Sequence, residues 1–226
     1  MRFKIKTISA NIASLPNRRE MLEKTIESLY PQVDVINVCL NDYDSDPYID
    51  DPKINTTFSD NSLGDAGKFL FQENVDGYYF TCDDDIIYPP TYVEDTIEKV
   101  DKYGLVTYNG RIFKSFPLKS FSRDKAKKYR YGRLERKTLK VQFGGTGVMA
   151  FDTAVFRIPM SEFQRKNMAD IWVGCYARKN GYQIWHLAHK EGYLIPQKTP
   201  GSIYRDERDK DKDAYQAAII NEVFQK

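Results

Sequence analysis

The sequence predicts an α/β protein: a mostly parallel sheet flanked by helices, followed by a smaller, irregular region. Three observations carry this. Over residues 1–110, stretches with apolar residues at every second position alternate with stretches of helical spacing, the two periods that separate strand from helix. The connections between them are short, as in the repeating strand–helix units of a parallel sheet covered on both faces. The length of 226 residues, with 41% apolar and 29% charged residues, suits one globular domain and not a disordered chain.

Residues 3–10 (FKIKTISA) alternate and read as a strand, with residues 11–16 as a loop. NRREMLEKTIESLY (17–30) reads as a helix, with Met21, Leu22, Thr25, Ile26 and Leu29 on one stripe and Pro31 as its stop. VDVINVCL (33–40) is a second strand, followed by the polar, turn-rich NDYDSDPYIDDP and a short strand at 53–58. Residues 63–73 (LGDAGKFLFQE) look helical despite two glycines. Residues 77–82 form a strong strand, 90–103 a helix and 104–108 a further strand. In the second half, the basic stretch 119–140 is expected to be partly helical. VQFGGTGVMAF (141–151) is a strand interrupted by glycines. MADIWVGCYARKNG (168–181) is a helix with Gly181 as its C-terminal stop, and YQIWHLA (182–188) is strand-like. RDERDKDKD (205–213) reads as a solvated charged run before a final amphipathic helix, AYQAAIINEVFQ.

The net charge is only +2, but residues 119–140 hold ten Lys and Arg against two acids. That local excess says more about partners than the overall balance does. The three cysteines, Cys39, Cys82 and Cys175, are far apart and form no zinc spacing or disulfide framework. MRFKIKTISAN lacks the apolar run of a signal peptide, and no segment approaches the roughly 20 apolar residues that span a bilayer. The expectation is a reducing, cytoplasmic setting, with any membrane contact peripheral and made through 119–140.

The stretch with most chemical content is CDDDIIYPP, residues 82–90. If the strand stays extended, Asp83 and Asp85 share a face and Asp84 opposes them. Two carboxylates at a strand's end suit a hard cation, Mn²⁺ or Mg²⁺, held jointly with substrate phosphates. The plainer alternative is an acidic turn placed to favour the dipole of the following helix. The position at the carboxyl edge of a parallel sheet, where ligands of such sheets sit, favours the cation.

At these residues the chain resembles the GT-A-fold, nucleotide-sugar-dependent glycosyltransferases, and among them glycosyltransferase family 2. The strand, the x-Asp-x-Asp core, the apolar pair and the proline-started helix look like that family's DxD motif. ISANIASLPNRREMLEKTIESL is similar to its first strand, loop and helix. The resemblance spans about residues 3–190 and leaves 111–140 unmatched. It implies a GT-A (Rossmann-like) sheet in a single domain, with residues 1–110 as the nucleotide-sugar-binding half. Residues 111–226 would be the acceptor-binding half, carrying the basic insert 119–140. It implies a nucleoside-diphosphate sugar donor, UDP-linked, and Mn²⁺ or Mg²⁺ bridging its diphosphate through Asp85. Asp83 or Asp84 would contact the ribose or the metal's water. Arg18 would approach the nucleotide, and Ser9, Ala10 and Asn11, on to Ala13, would line the base. Asp65 and Lys68 match a second nucleotide-contacting segment; for Lys68 the alternative is a surface lysine on a helix.

Sugar transfer also needs a carboxylate to take the proton of the attacking hydroxyl. The family's base opens a helix late in the fold, and Asp170 in NMADIWVG matches it, although Ala169 stands where the family more often has a second acid. Asp170 could also serve as a helix cap. A single in-line base implies inversion. FGGTG (143–147) lacks the order of a phosphate-binding loop; in the family such a strand lets the backbone approach the donor sugar, and the alternative is a bulge. His189, at the end of the YQIWHLA strand, is a candidate further metal ligand, with His186 its rival and a structural role the alternative for either. Trp172 and Trp185 fall on core positions. The basic segment reads as a solvated face or as a surface for an anionic or lipid-linked acceptor. Tyr129 and Tyr131 alone do not make a nucleic-acid site. The rival functions are a nucleotidyltransferase, which ANIASLPNRR opposes by lacking glycine, and a catalytically silent nucleotide-sugar-binding protein.

Overall fold

The structure, a computed structural model, describes residues 6–198 and 210–225. Residues 3–5 of the first expected strand and 205–209 of the charged run lie outside the described residues.

The first strand, β1 (Thr7–Ser14), lies further along the chain than its alternation suggested. Parallel neighbours on both sides satisfy its polar residues, so Ser9 and Asn11 do not end it. A 3-10 turn (Pro16–Arg18) leads into α1 (Arg19–Leu29), which buries Leu22, Thr25, Ile26 and Leu29, as its spacing predicted. β2 (Val35–Asn41) and β3 (Ile54–Ser59) follow. Residues 63–73 are not an α-helix. They form two 3-10 turns, Gly64–Phe69 and Gln72–Asn74. The reason lies in the glycines: Gly64 has φ +54°, and Gly67 presses so close to β2 that a Cβ would lie 2.6 Å from Cys39 Sγ.

β4 (Gly77–Asp83) and the two-residue β5 (Ile86–Ile87) precede α2 (Tyr92–Tyr103) and β6 (Leu105–Thr107). The basic segment is not helical. It contributes β8 (Ala126–Tyr129), paired with β7 (Gly110–Phe113), and leads through a loop into β9 (Leu139–Val141). The glycine-interrupted strand divides into β10 (Phe143–Gly144) and β11 (Val148–Asp152). α3 (Ala169–Lys179) ends at Gly181, whose φ is +75°, with Tyr182 N–H donating back to the Ala177 carbonyl at 2.9 Å. β12 (Ile184–His186), β13 (Ile195–Pro196) and α4 (Lys210–Phe224) complete the chain.

The main sheet has eight strands in the order β3-β2-β1-β4-β11-β6-β12-β9. Six run parallel to one another; β11 and β9 run against them. This is the mixed α/β, mostly parallel architecture expected. Side-chain parity divides the core between the two faces. One face packs Ile12, Val38 and Phe80 under α1 and α2, and the other packs Tyr79, Met149 and Phe151 against the 3-10 turns and α3. A third cluster joins Phe113, Phe143 and Trp172 to Ile220 of α4. Among the described residues, no helix is long and apolar enough to cross a membrane.

One topological feature positions the site. From β1 the chain moves outward to β2 and β3, then returns to β4 on the other side of β1. At such a reversal the connections leave a crevice beyond the carboxyl ends of the two central strands.

Candidate active site

Asp83 is the last residue of β4 and pairs in register with Ala13 of β1, so it stands at the mouth of that crevice. A cleft of about 260 Å³ opens there, lined by all three acids of the CDDD run together with Arg18, Asp65, Lys68 and Asp170.

The three acids have separate surroundings. Asp84 is turned inward, its side chain 5% exposed, with Ser14 Oγ donating to Oδ2 at 2.6 Å and Arg18 Nη2 at 2.5 Å from Oδ1. Burial raises its pKa to about 6 against the pull of Arg18. Asp83 and Asp85 stay open to the cleft, their side chains 44% and 28% exposed. Asp83 pairs with the buried Lys68, and Asp85 lies 2.7 Å from Arg18 Nη2. Burial, then the nearby Asp83, pushes Asp85 above the ordinary carboxylate range. Burial would lower Lys68, but Asp83 and Asp65 outweigh it and hold the ammonium above its usual value. Arg18 is likewise opposed by burial and held up by Asp84 and Asp85.

Asp170, in the first turn of α3, is exposed at the cleft surface although protein surrounds its other sides. Its Oδ1 accepts from the Thr146 N–H at 2.7 Å and from Thr146 Oγ1 at 2.8 Å. Burial, only partly offset by those bonds, raises its pKa, and the charge of Asp83 adds to the rise. It does not cap its own helix. That part falls to Asp65, whose Oδ2 accepts the Ala169 N–H at 3.0 Å. Burial lifts Asp65 to about 6.

Several expected contacts fall elsewhere. Ser9, Ala10 and Asn11 are fully buried within the sheet. Asn11 Oδ1 accepts from Asn37 Nδ2 at 2.7 Å, and Asn37 Oδ1 from Asn55 Nδ2 at 3.1 Å, an amide ladder across β1, β2 and β3. Because β1 runs on to Ser14, it is Ala13, Ser14 and Leu15 that reach the cleft. Each oxygen of Asp84 already has one partner, Ser14 or Arg18, while the residue still lines the cleft. His189 does not line the cleft, and its ring nitrogens lie 2.8 and 3.3 Å from the carbonyls of Leu187 and Arg130. Those contacts give it a structural role away from the acids of the cleft. Lys68 is no surface lysine, being 3% exposed.

Two supports were not read from the sequence. Tyr88 Oη donates to the Gly147 carbonyl at 2.6 Å and accepts the Asp83 N–H at 3.0 Å, tying the acids to the glycine segment. A Cβ on Gly147 would overlap the Asp83 carboxylate, so glycine is needed there for contact with the acid. The signal for Gly147 was present in FGGTG; a tyrosine in IIYPP carries none.

The fit of a divalent cation can be judged from these atoms. Five carboxylates face two cationic side chains, a surplus of negative charge in a cleft partly shielded from water. Asp65 Oδ1 and Arg18 Nε, both on cleft residues, are buried without hydrogen-bond partners. Among the described residues no three His, Cys, Asp or Glu side chains group to hold a metal unaided. Hard oxygens from one or two carboxylates, completed by substrate phosphates, are the ordinary setting of Mg²⁺, and Asp83 and Asp85 fit it. No protein-family model matches the chain, and no curated protein matches it.

Proposed function

We propose that this protein is a metal-dependent glycosyltransferase, with a GT-A-like sheet, that moves a sugar from a nucleoside-diphosphate sugar to a hydroxyl of a glycan or glycolipid acceptor. The observation that carries the reading is the pairing of two acid centres in one crevice. Asp83 and Asp85 stand open at the carboxyl end of β4, and Asp170 lies near enough for the charge of Asp83 to raise its pKa.

The chemistry follows from what each group can do. A cation on Asp85 and Asp83, Mn²⁺ or Mg²⁺, would neutralise the charge of the departing diphosphate. Lys68 keeps Asp83 oriented, and Arg18 holds Asp84 and Asp85 together at the turn. Thr146 fixes Oδ1 of Asp170, and among the described residues no group bonds its Oδ2. That oxygen takes the proton of the acceptor hydroxyl as the new glycosidic bond forms and the bond to the diphosphate breaks. A raised carboxylate pKa makes Asp170 a better base for that transfer. One base on the acceptor side supports inversion at the sugar carbon.

The test is Asp170→Asn. The variant should lose at least about 100-fold in transfer while Mn²⁺ and a UDP-sugar still raise its melting temperature as in the parent. Full activity in the variant would rule out Asp170 as the base; absence of any nucleotide-sugar stabilisation in the parent would rule out the donor class.

A further inference from the structure

The cleft's opposite in charge lies beside it. Between Phe121, which lines the cleft, and β9, the exposed cations include Lys125, Arg130, Arg133, Arg136 and Lys137. None of these five is in an ion pair among the described residues. The two acids of the segment do not neutralise them. Asp124 accepts the N–H groups of Lys119 and Ser120 at 2.6 and 3.1 Å, and Glu135 accepts that of Arg130 at 3.4 Å. Both carboxylates thus shape the loop and form no ion pair with these five cations among the described residues.

The loop is also held in place. Glu135 and His189 exchange backbone hydrogen bonds at 2.9 and 2.8 Å, and Thr138 Oγ1 accepts from the Ala188 N–H at 3.1 Å. Several exposed cations on one anchored segment suit a repeating anion better than a single one. The segment is joined to the cleft: the Tyr131 N–H donates at 3.0 Å to Asn109 Oδ1, and Asn109 and Phe121 are cleft residues.

We propose that this strip holds an anionic glycan, a sugar polymer carrying carboxylate or phosphate groups, as the acceptor whose end enters the cleft. The proposal rests on the glycosyl-transfer reading and names its acceptor class. Two other polyanions fit the surface less well. Nucleic acid would need exposed aromatic faces for stacking, but Tyr129 is buried and Tyr131 half-buried. A membrane surface would need an apolar face beside the charges, and the strip offers only Leu134, 46% exposed.

Binding of the whole protein is measured in the absence of donor, so that a failure of the transfer reading is scored separately by nucleotide-sugar stabilisation. The probes are oligogalacturonate, phosphomannan, neutral dextran, single-stranded oligothymidylate, and vesicles of phosphatidylcholine with and without phosphatidylglycerol. Oligogalacturonate or phosphomannan should bind more tightly than every other probe and weaken at least about tenfold from low to physiological salt. Arg133→Gln/Arg136→Gln/Lys137→Gln should cost about tenfold or more in that affinity, with the Mn²⁺ and UDP-sugar thermal shift unchanged. Equal binding by the triple variant, tighter binding to oligothymidylate or to anionic vesicles, or equal binding to dextran would each overturn the proposal.

Discussion

His186 is fully buried, and neither of its ring nitrogens has a hydrogen-bond partner among the described residues. Burial, reinforced by His189, lowers its pKa to about 4. The folded value lies below the unfolded value of about 6.5, so the unfolded chain binds the extra proton first. Its contribution is therefore present above about pH 6.5 and is lost as pH falls towards 4. Relative to His186→Phe, which keeps a ring and removes the basic nitrogen, the parent should lose about 2 kcal/mol between pH 7 and pH 5. Urea denaturation of both proteins at the two pH values measures this, and a difference that does not change with pH refutes it. Asp170, at the cleft surface, shows the other outcome for a titratable group: Thr146 satisfies one oxygen, and the other is left to the cleft. Sequence reasoning could separate neither case from its neighbours. It found Asp83, Asp85 and Asp170 because acids at a strand end and a helix start are chemically conspicuous. It misplaced Ser9, Ala10 and Asn11 because polar letters were read as the end of a strand, when amide-to-amide bonds between strands were absorbing them.

At the scale of elements, Asp83, Asp85 and Asp170 are held where three of the cleft's chain segments meet: the end of β4, the glycine segment between β10 and β11, and the start of α3. Gly147 joins the first two. Its carbonyl accepts both the Asp83 N–H, at 3.1 Å, and the Tyr88 hydroxyl, at 2.6 Å. A Cβ there would overlap the Asp83 carboxylate, which would have to swing away and leave the buried Lys68 ammonium without that partner. Gly147→Ala should thus lower stability by about 3–5 kcal/mol and abolish the Mn²⁺-dependent rise in melting temperature because Asp83 leaves its place. Differential scanning fluorimetry with and without Mn²⁺ reads both quantities; an unchanged Mn²⁺ effect would show that Asp83 need not touch Gly147. Elements with a strong apolar period, α1, β4, α2 and α3, were legible from spacing. Residues 63–73 were not, because the pattern of LGDAGKFLFQE gives no sign that Gly67 must lie against Cys39. The basic stretch 119–140 was misread as partly helical because its pairing partner, β7, lies earlier in the chain and pairing between distant segments leaves little local trace.

At the scale of the molecule, charge is divided between two neighbouring regions. The cleft gathers five carboxylates around Arg18 and Lys68, while residues 119–140 carry ten Lys and Arg against two acids. The near-neutral total of +2 conceals this, and only the fold brings Asp65, Asp83 to Asp85 and Asp170 together. Like charges held at short range in a partly desolvated cleft repel, and a divalent cation placed among them relieves that repulsion. A ligand that binds only the folded state stabilises it by about 2.7 kcal/mol at a hundred times its dissociation constant, which for a chain of this size is a rise of roughly 5–10 °C in melting temperature. Mn²⁺ should produce such a rise, and a chelator should reverse it. Asp85→Asn should lose most of it, whereas Glu20→Gln, an exposed change on α1 outside the cleft, should keep it. If Mn²⁺ leaves the parent unshifted, or shifts Asp85→Asn equally, the acid surplus is not a cation site and the two cationic side chains alone must balance whatever anion enters.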